Sequence, residues 1–436
     1  MESPAYKDHL KELVDEGAID VALLDDAVRR ILRIKYALGL FDNPYTDPSL
    51  YPALLNENHL AAAKEAAVQS AVLLKNDGNV LPLSQDTKVA VLGPLADAPH
   101  EQLGTWAFDG NREFSRTPIM ALRDLLETDQ IHYVPTLEYS RSKDMSKFEN
   151  AVEAAENSDV VLMFLGEEAI LSGEAHCLAN IDLPGVQQEL VKAVAETGKP
   201  IVLIVMTGRP NTMGAILDDV DALLYAFHGG TMAGPALVDL LFGKASPSGK
   251  LTVTFPKVVG QIPMYYNHKN TGRPPQESSW VHIDDIPVGA WQTSLGNESH
   301  YLDAGFKPQY PFGFGLSYTT FEYENLQLSS DMIKMGESFT VSATIKNTGA
   351  VQADEIVQLY IRDLAASITR PVRELKGFQR ITLNPGESKI VEFELTQEDL
   401  AFPGQDMKMV TEPGQFHVWI APSSDSGLMG EFTLVE

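Results

Sequence analysis

The hydrophobic period of this sequence changes once, near residue 325, and that change restricts the fold more than any other feature. Before it, continuous apolar runs are separated by amphipathic stretches of helical period. The apolar runs cover 88–92, 159–165, 200–206 and 221–227, and the helical stretches cover 146–156, 186–196 and 232–242. Continuous runs are typical of parallel strands that helices cover on both faces. Residues 56–324 are therefore predicted to form an open α/β sandwich with a mostly parallel sheet.

After residue 325, apolar residues alternate with polar ones, as they do in half-buried β-strands. The alternating runs are 339–345, 357–361, 391–395 and 416–420, and the turn sequences NTGA, NPGES and TEPGQ lie between them. Short strands at this spacing predict a small all-β sandwich of the immunoglobulin or fibronectin type over residues 325–436.

Residues 1–55 have a helical pattern without the length of a domain. Two amphipathic stretches are present, with Asp20 as the expected N-cap of the second and Gly39 as the residue that follows its end. The sequence LFDNPYTDPSLYP comes next, and its three prolines predict an extended linker. Two short helices have no partner within this segment to cover their apolar faces.

Charge and cysteine content exclude several classes of function. The 436 residues carry 60 acids and 33 bases, a net charge of −27, so phosphate backbones and anionic membrane surfaces are not expected as partners. The longest wholly apolar runs, such as 201–206, are far shorter than the ~20 residues that cross a bilayer. Cys177 is the only cysteine, which excludes an internal disulfide and a cysteine-built metal site. The first ten residues, MESPAYKDHL, lack the pattern of a signal peptide.

Familiar nucleotide, esterase and zinc-protease motifs do not account for the sequence. HGGTMAG (228–234) lacks both the G-x-G-x-x-G pattern and the P-loop lysine, so we interpret it as a tight strand-to-helix turn. Neither G-x-S-x-G nor H-E-x-x-H occurs.

The segment FLGEEAILSGEAHCLANIDLPGVQQEL is the candidate functional loop. It begins at the carboxyl end of the run 159–165, where open α/β sheets bind ligands. A glutamate on such a loop can donate a proton when burial raises its pKa. Taken alone, Glu167 and Glu168 are expected to be solvated surface charges, and His176 a neighbour of the site rather than a proton carrier. Cys177 is expected to be a small buried residue and not a nucleophile.

Several strings together resemble family-3 glycoside hydrolases, and most closely the bacterial periplasmic β-glucosidase type. They are GEEAILSGEAHCLANIDLP, TGRP, IPMYYNHKNTGRP, YPFGFGLSYTTF, RPVRELKGFQ and LDDAVRRILRIKYALGLFDNPY. The resemblance implies a TIM-like barrel, then the α/β sandwich over residues 56–324, then a fibronectin-III-like domain over residues 325–436. Residues 1–55 are similar to the last barrel helix and exit linker, so the barrel itself is expected to be missing from this chain.

The resemblance also implies residue roles. Glu174, in SGEA, matches the general acid/base of the family, whereas the catalytic aspartate of the family lies on the barrel and has no counterpart here. Trp106, in LGTWAFDG, falls where the family often has an aromatic residue near the mouth of the site. For Trp106, stacking on a sugar and burial against the sheet both remain open.

The function implied is hydrolysis of terminal β-linked glucose or related sugars, with retention of configuration and without a metal or organic cofactor. The expected partners are a β-glucoside or oligosaccharide substrate, a TIM-like barrel in cis or in trans, and in some assemblies a second copy of the chain. The resemblance suggests a periplasmic or secreted protein. Two alternatives remain: a non-catalytic carbohydrate-binding or assembly module, and a free-standing glycosidase that uses two loop carboxylates, Glu168 and Glu174.

Overall fold

The computed structural model describes residues 4–50 and 55–436, and it divides into two compact units, Met1–Asn56 and Glu57–Glu436. The first unit contains helices α1 (Ala5–Asp15) and α2 (Val21–Ala37), neither of which has a buried residue. Part of the proline-rich linker predicted from LFDNPYTDPSLYP lies outside the described residues.

The predicted ends of helix α2 are confirmed. The amide of Ala22 donates to the Asp20 carboxylate at 2.9 Å, which satisfies one of the free N–H groups of the first turn. At the other end, Gly39 has a φ of +69°, and its amide donates to the carbonyl of Tyr36 at 2.9 Å. Glycine is favoured there because this left-handed conformation brings other residues into steric conflict.

The second unit begins with an α/β sandwich. Its helices are α3 (Glu57–Ser70), α4 (Pro118–Leu125), α5 (Phe148–Glu156), α6 (Gln187–Ala195) and α7 (Ala233–Leu241). Its strands are β1 (Val72–Asn76), β2 (Val89–Leu92), β3 (Ile131–Val134), β4 (Val160–Gly166), β5 (Ile201–Met206) and β6 (Ala222–Tyr225). They form one sheet in the order β1-β6-β5-β4-β2-β3, in which only the pairing of β1 with β6 is antiparallel.

Strand β4 shows why its sequence does not alternate. Val160, Leu162 and Phe164 pack into the hydrophobic core on one face of the sheet, with helices α3, α4 and α7. The residues between them, such as Val161 and Met163, pack into a second core with helices α5 and α6. Because both faces are covered, every position must be apolar. The predicted α/β sandwich is therefore confirmed.

The remaining residues form the all-β part. Its strands are β7 (Phe321–Leu328), β8 (Met332–Lys334), β9 (Phe339–Asn347), β10 (Ala353–Asp363), β11 (Glu374–Leu383), β12 (Ser388–Leu395), β13 (Phe402–Pro403), β14 (Met409–Val410), β15 (Gly414–Ala421) and β16 (Leu428–Val435). A single helical turn, α8 (Gln397–Leu400), precedes β13. Sheets β11-β10-β15-β16-β8 and β12-β9-β7 enclose a common core, as expected for a fibronectin-like sandwich.

The strand order of the α/β sandwich determines where a site can lie. From β2 the chain runs to β3 on one side, and then to β4 on the other side of β2. Loops that leave the carboxyl ends of such neighbours diverge and open a crevice at this point of reversal. The crevice lies between the loops that follow β2 and β4. Within the described ranges, no helix is long and apolar enough to cross a membrane.

Candidate active site

Glu174 lies on the loop between strand β4 and helix α6. Its side chain is exposed and makes no hydrogen bond or ion pair with any residue that the structure describes. The two residues beside it have positive φ angles, +132° at Gly173 and +63° at Ala175. For an alanine this conformation costs on the order of 1–3 kcal/mol and persists only where the surroundings impose it. The loop thus presents Glu174 on a constrained, projecting turn.

Glu167 is completely buried, so the expectation that it is a solvated surface charge is wrong. Its Oε2 accepts a hydrogen bond from Arg209 Nε at 2.7 Å, and its Oε1 accepts one from Asn211 Nδ2 at 2.9 Å. A buried carboxylate is stable only when paired and hydrogen-bonded, and here both oxygens have partners. Glu167 therefore belongs to the framework of the loop.

Glu168 is also buried, with 8% of its surface exposed, which again contradicts the surface interpretation. The Ser140 hydroxyl donates to its Oε2 at 2.8 Å, and Arg141 donates through Nε at 3.1 Å and Nη2 at 3.2 Å. This contact raises the pKa of Arg141. Since its carboxylate already has these donors, Glu168 is poorly placed to act as a second catalytic carboxylate.

Trp106 lies on the loop that follows strand β2, and 61% of its surface is exposed. The alternative of burial against the sheet is therefore wrong. Its ring meets that of Phe108 edge-on, with the centroids 6.0 Å apart, and Phe108 is exposed as well. The indole is accessible to a ligand.

The Trp106 and Glu174 loops touch each other. A Cβ atom added to Gly173 would lie 2.9 Å from Thr105 Cγ2, so only a glycine permits this approach. A second contact joins the same loops, because the amide of Ala169 donates to the carboxylate of Glu101 at 2.7 Å. The fold thus brings the segments that carry Trp106 and Glu174 into contact beyond the carboxyl ends of β2 and β4.

The other residues of the candidate loop have no catalytic arrangement. His176 and Cys177 are both exposed, so the expectation that Cys177 is buried is wrong. Across the described part of the chain, no group of histidine, cysteine and carboxylate side chains could hold a metal ion. The predicted turn at HGGTMAG is confirmed: it joins strand β6 to helix α7 through a short 3-10 turn, Gly230–Met232.

Two residues near the site were not singled out from the sequence. Arg209 belongs to the string TGRP, and it donates hydrogen bonds to Glu167 and to the carbonyl of His176 on the Glu174 loop. His228 packs against Gly104 and Gly208, and neither of its ring nitrogens has a hydrogen-bond partner among the described residues. Burial lowers the pKa of His228, and the charge of Glu167 offsets part of that effect.

Residues 71–318 match the family model of the glycosyl hydrolase family 3 C-terminal domain, and residues 355–424 match that of the fibronectin type III-like domain. The chain is 37% identical to a periplasmic beta-glucosidase of Salmonella typhimurium, over 99% of the chain and 58% of that relative. It is 37% identical to a beta-xylosidase of Formosa agariphila, over 95% of the chain and 56% of that relative.

Among solved structures, the chain is similar to a beta-glucosidase from Listeria innocua in complex with glucose. The TM-score is 0.88 at 38% identity, and the match covers all of this chain and 58% of the other. The fold found above is thus the fold of a known enzyme group. The chain spans a little under three fifths of the length of these relatives.

Proposed function

The chain belongs to glycoside hydrolase family 3, and from this premise we propose that it is the carboxy-terminal part of a retaining, exo-acting β-glucosidase-like enzyme. The proposed substrates are oligosaccharides or glycosides that end in β-linked glucose or a related sugar. Support comes from the similar proteins, which include beta-glucosidases and a beta-xylosidase. The proposed division is residues 1–55, 56–324 and 325–436.

Glu174 is the proposed general acid/base. The observation that carries this proposal is the contrast among the three loop glutamates: the carboxylates of Glu167 and Glu168 are held by arginines, whereas that of Glu174 is exposed and unpaired. In a retaining mechanism, Glu174 would protonate the leaving oxygen while a second carboxylate attacks the anomeric carbon. Glu174 would then remove a proton from the water that releases the glycosyl-enzyme.

The second carboxylate must lie about 5–5.5 Å from the first. In this proposal it is an aspartate of a TIM-like barrel, which acts in cis or in trans and lies outside the 436 residues. The barrel would also shield Glu174 from bulk solvent. Trp106 is proposed to stack on a sugar ring near the entrance, because its indole is exposed and the preceding residue, Thr105, contacts the Glu174 loop at Gly173.

One assay separates this proposal from its rivals. The chain alone should not hydrolyse aryl β-glucosides, and addition of the barrel, or use of an enzyme containing both, should restore turnover. Turnover by the chain alone that Glu168→Gln abolishes would favour the free-standing enzyme. Sugar binding without turnover in the complete protein would favour the non-catalytic module.

The Glu174→Gln variant tests the residue assignment in the complete enzyme. Loss of general acid catalysis should slow substrates with poor leaving groups by about 10²–10⁴-fold, and activated aryl glycosides far less. Azide needs no general base, so it should accelerate deglycosylation of this variant and yield a β-glycosyl azide. Glu168→Gln is the matched control. If Glu168→Gln shows this pattern and Glu174→Gln behaves like the wild type, the assignment is wrong.

Export to the periplasm or the cell exterior is proposed for the complete protein. The support is one relative of this description, and a single cysteine that cannot mispair within the chain. A signal peptide at the start of the complete gene product would support export, and a complete gene product without one would contradict it.

A further inference from the structure

A single guanidinium group holds the turn that carries Glu174. Arg209 follows strand β5, and its Nη2 donates to the carbonyl of Leu171 and, at 3.2 Å, to the carbonyl of His176. These carbonyls lie three residues before and two residues after Glu174. One nitrogen therefore ties together the two ends of the short turn on which Glu174 sits.

Arg209 is itself held in orientation by Glu167. The Nε–H of Arg209 donates to Glu167 at 2.7 Å; the Glu167 side chain is inaccessible to solvent, and that of Arg209 is 14% exposed. An arginine can donate to a carboxylate and to two carbonyls at once, because its five N–H groups have a fixed planar geometry. Lysine has the same charge but lacks this fork.

The neighbours of Arg209 extend the contact along the same loop. Asn211 Nδ2 bridges Glu167 and the carbonyl of Ile181, at 2.9 and 3.0 Å. The amide of Thr212 donates to the same carbonyl at 3.0 Å. The hydroxyl of Tyr225, the last residue of strand β6, donates to the carbonyl of Arg209. The segment 209–212 thus holds carbonyl groups at both ends of the loop.

The backbone provides independent evidence that this conformation is imposed. A Cβ atom on Gly208 would lie 2.3 Å from Ser172 Oγ, so the two loops are packed as closely as a glycine permits. Ala175 keeps a φ of +63° although it is not a glycine. Such a residue relaxes when its surroundings release it.

From these contacts we infer that Arg209, oriented by Glu167, is a positioning residue that fixes the direction of the Glu174 carboxyl group. Arg209 acts through the carbonyls of Leu171 and His176 and does not itself contact the reacting atoms. This inference rests on the proposed acid/base role of Glu174. A purely structural Arg209 would support folding without affecting proton transfer.

The first test measures the loop in the chain alone. Cys177 is the only cysteine, is exposed, and adjoins His176, so a nitroxide label attached there reports the motion of the held turn. Arg209→Lys and Arg209→Met should both increase the mobility of the label. Arg141→Met is the matched control, because Arg141 holds the neighbouring Glu168 and makes no hydrogen bond to the carbonyls of the turn. Arg209→Lys preserves the charge beside Glu167, so it remains informative if Arg209→Met does not fold.

The second test measures proton transfer in the complete enzyme. A carboxyl group displaced by about 1 Å can lose on the order of 10²-fold in rate, so Arg209→Lys should lower kcat for poor leaving groups by about 10–10²-fold with little change in KM. Activated aryl glycosides should lose less. In a Glu174→Gln background the same substitution should have almost no further effect, because the group it positions is absent.

The outcomes are distinguishable. If Glu174→Gln leaves turnover of poor leaving groups unchanged, the proposed acid/base role fails. If Glu174→Gln behaves as proposed but Arg209→Lys changes nothing, or if the two losses multiply, the positioning role is wrong. Label mobility in Arg209→Lys equal to that in Arg141→Met would also overturn it.

Discussion

The Tyr225→Phe substitution should destabilise the α/β sandwich through its hydroxyl alone. Tyr225 ends strand β6 and is fully buried, with its ring edge-on to Phe227 and Phe255 at centroid distances of 5.0 and 4.8 Å. The hydroxyl oxygen accepts from the amide of Asn211 at 3.0 Å, and its O–H donates to the carbonyl of Arg209. Phenylalanine keeps the ring packing and removes both hydrogen bonds.

The magnitude follows from the groups left without partners. A buried donor or acceptor that loses its partner costs about 1–3 kcal/mol, so two such groups predict a loss of about 2–6 kcal/mol. Two other tyrosines, the partly buried Tyr318 and the buried Tyr310, provide a graded comparison. Tyr318 donates once, to the carbonyl of Leu240 at 2.8 Å, and its replacement should cost about 1 kcal/mol. The Tyr310 hydroxyl has no partner among the described residues, so its replacement should change stability by less than about 0.5 kcal/mol.

The assay is urea unfolding followed by hydrogen exchange of the amides of strand β5, which lies in the middle of the sheet. This signal excludes the fibronectin-like part, whose separate unfolding would violate a two-state analysis. The expected order of destabilisation is Tyr225→Phe, then Tyr318→Phe, then Tyr310→Phe. If Tyr225→Phe lies within about 0.5 kcal/mol of Tyr310→Phe, the buried hydrogen bonds do not support this region as argued.

Three further predictions concern other features. Burial lowers the pKa of His228, so the unfolded state takes up a proton first as the pH falls. Between pH 7 and 5, the free energy of unfolding measured in urea should therefore fall more steeply for the wild type than for His228→Gln, by at most about 1.4 kcal/mol per pH unit. Equal slopes would contradict this. Gly208→Ala should lower the urea midpoint because the added Cβ atom meets Ser172. The second substitution Ser172→Gly should restore most of the lost midpoint. An unchanged midpoint in Gly208→Ala would show that the loops carrying Gly208 and Ser172 separate freely. Deletion of residues 1–40 should leave the melting temperature of the rest nearly unchanged, because α1 and α2 bury no residue and Leu23 and Ile31 are 66% and 60% exposed. A drop equivalent to more than about 0.5 kcal/mol would refute this.

In the α/β sheet, the sequence predicted the four inner strands, whose residues are buried on both faces, and missed the two edge strands, β1 and β3. Strands β2, β4, β5 and β6 were identified because every position is apolar. Strand β3 was missed because it is a half-buried edge strand, and the histidine and tyrosine within it weaken the apolar pattern. In the β part, strand β11 was missed for a similar reason, since most of its residues are partly buried or exposed.

Only part of the candidate site could be predicted from the sequence. The position of Glu174 came from resemblance, and the loop came from its place after strand β4. The burial of Glu167 was not predictable from its neighbours in sequence, because its partner Arg209 lies 42 residues away. The parallel register brings them together: Gly166 pairs with Met206 at the ends of β4 and β5, so the residues that follow both strands meet. A pairing of this kind is visible only when the sheet order is known.

The distribution of cations explains why three similar glutamates have different roles. With 60 acids and 33 bases, 27 carboxylates are in excess of the lysines and arginines, so lack of a cationic partner alone identifies no catalytic residue. The two carboxylates that directly follow strand β4 do have arginine partners, which is the condition for burying charge beside an apolar sheet. Glu174 lies six residues beyond Glu168, where the turn leaves the sheet and its carboxylate faces solvent. The same arginine that neutralises Glu167 holds the turn under Glu174. The ion pair with Arg209 thereby offsets the cost of burying Glu167. The same arginine holds the turn that carries Glu174, so the buried carboxylate and the proposed proton donor both depend on the Arg209 side chain.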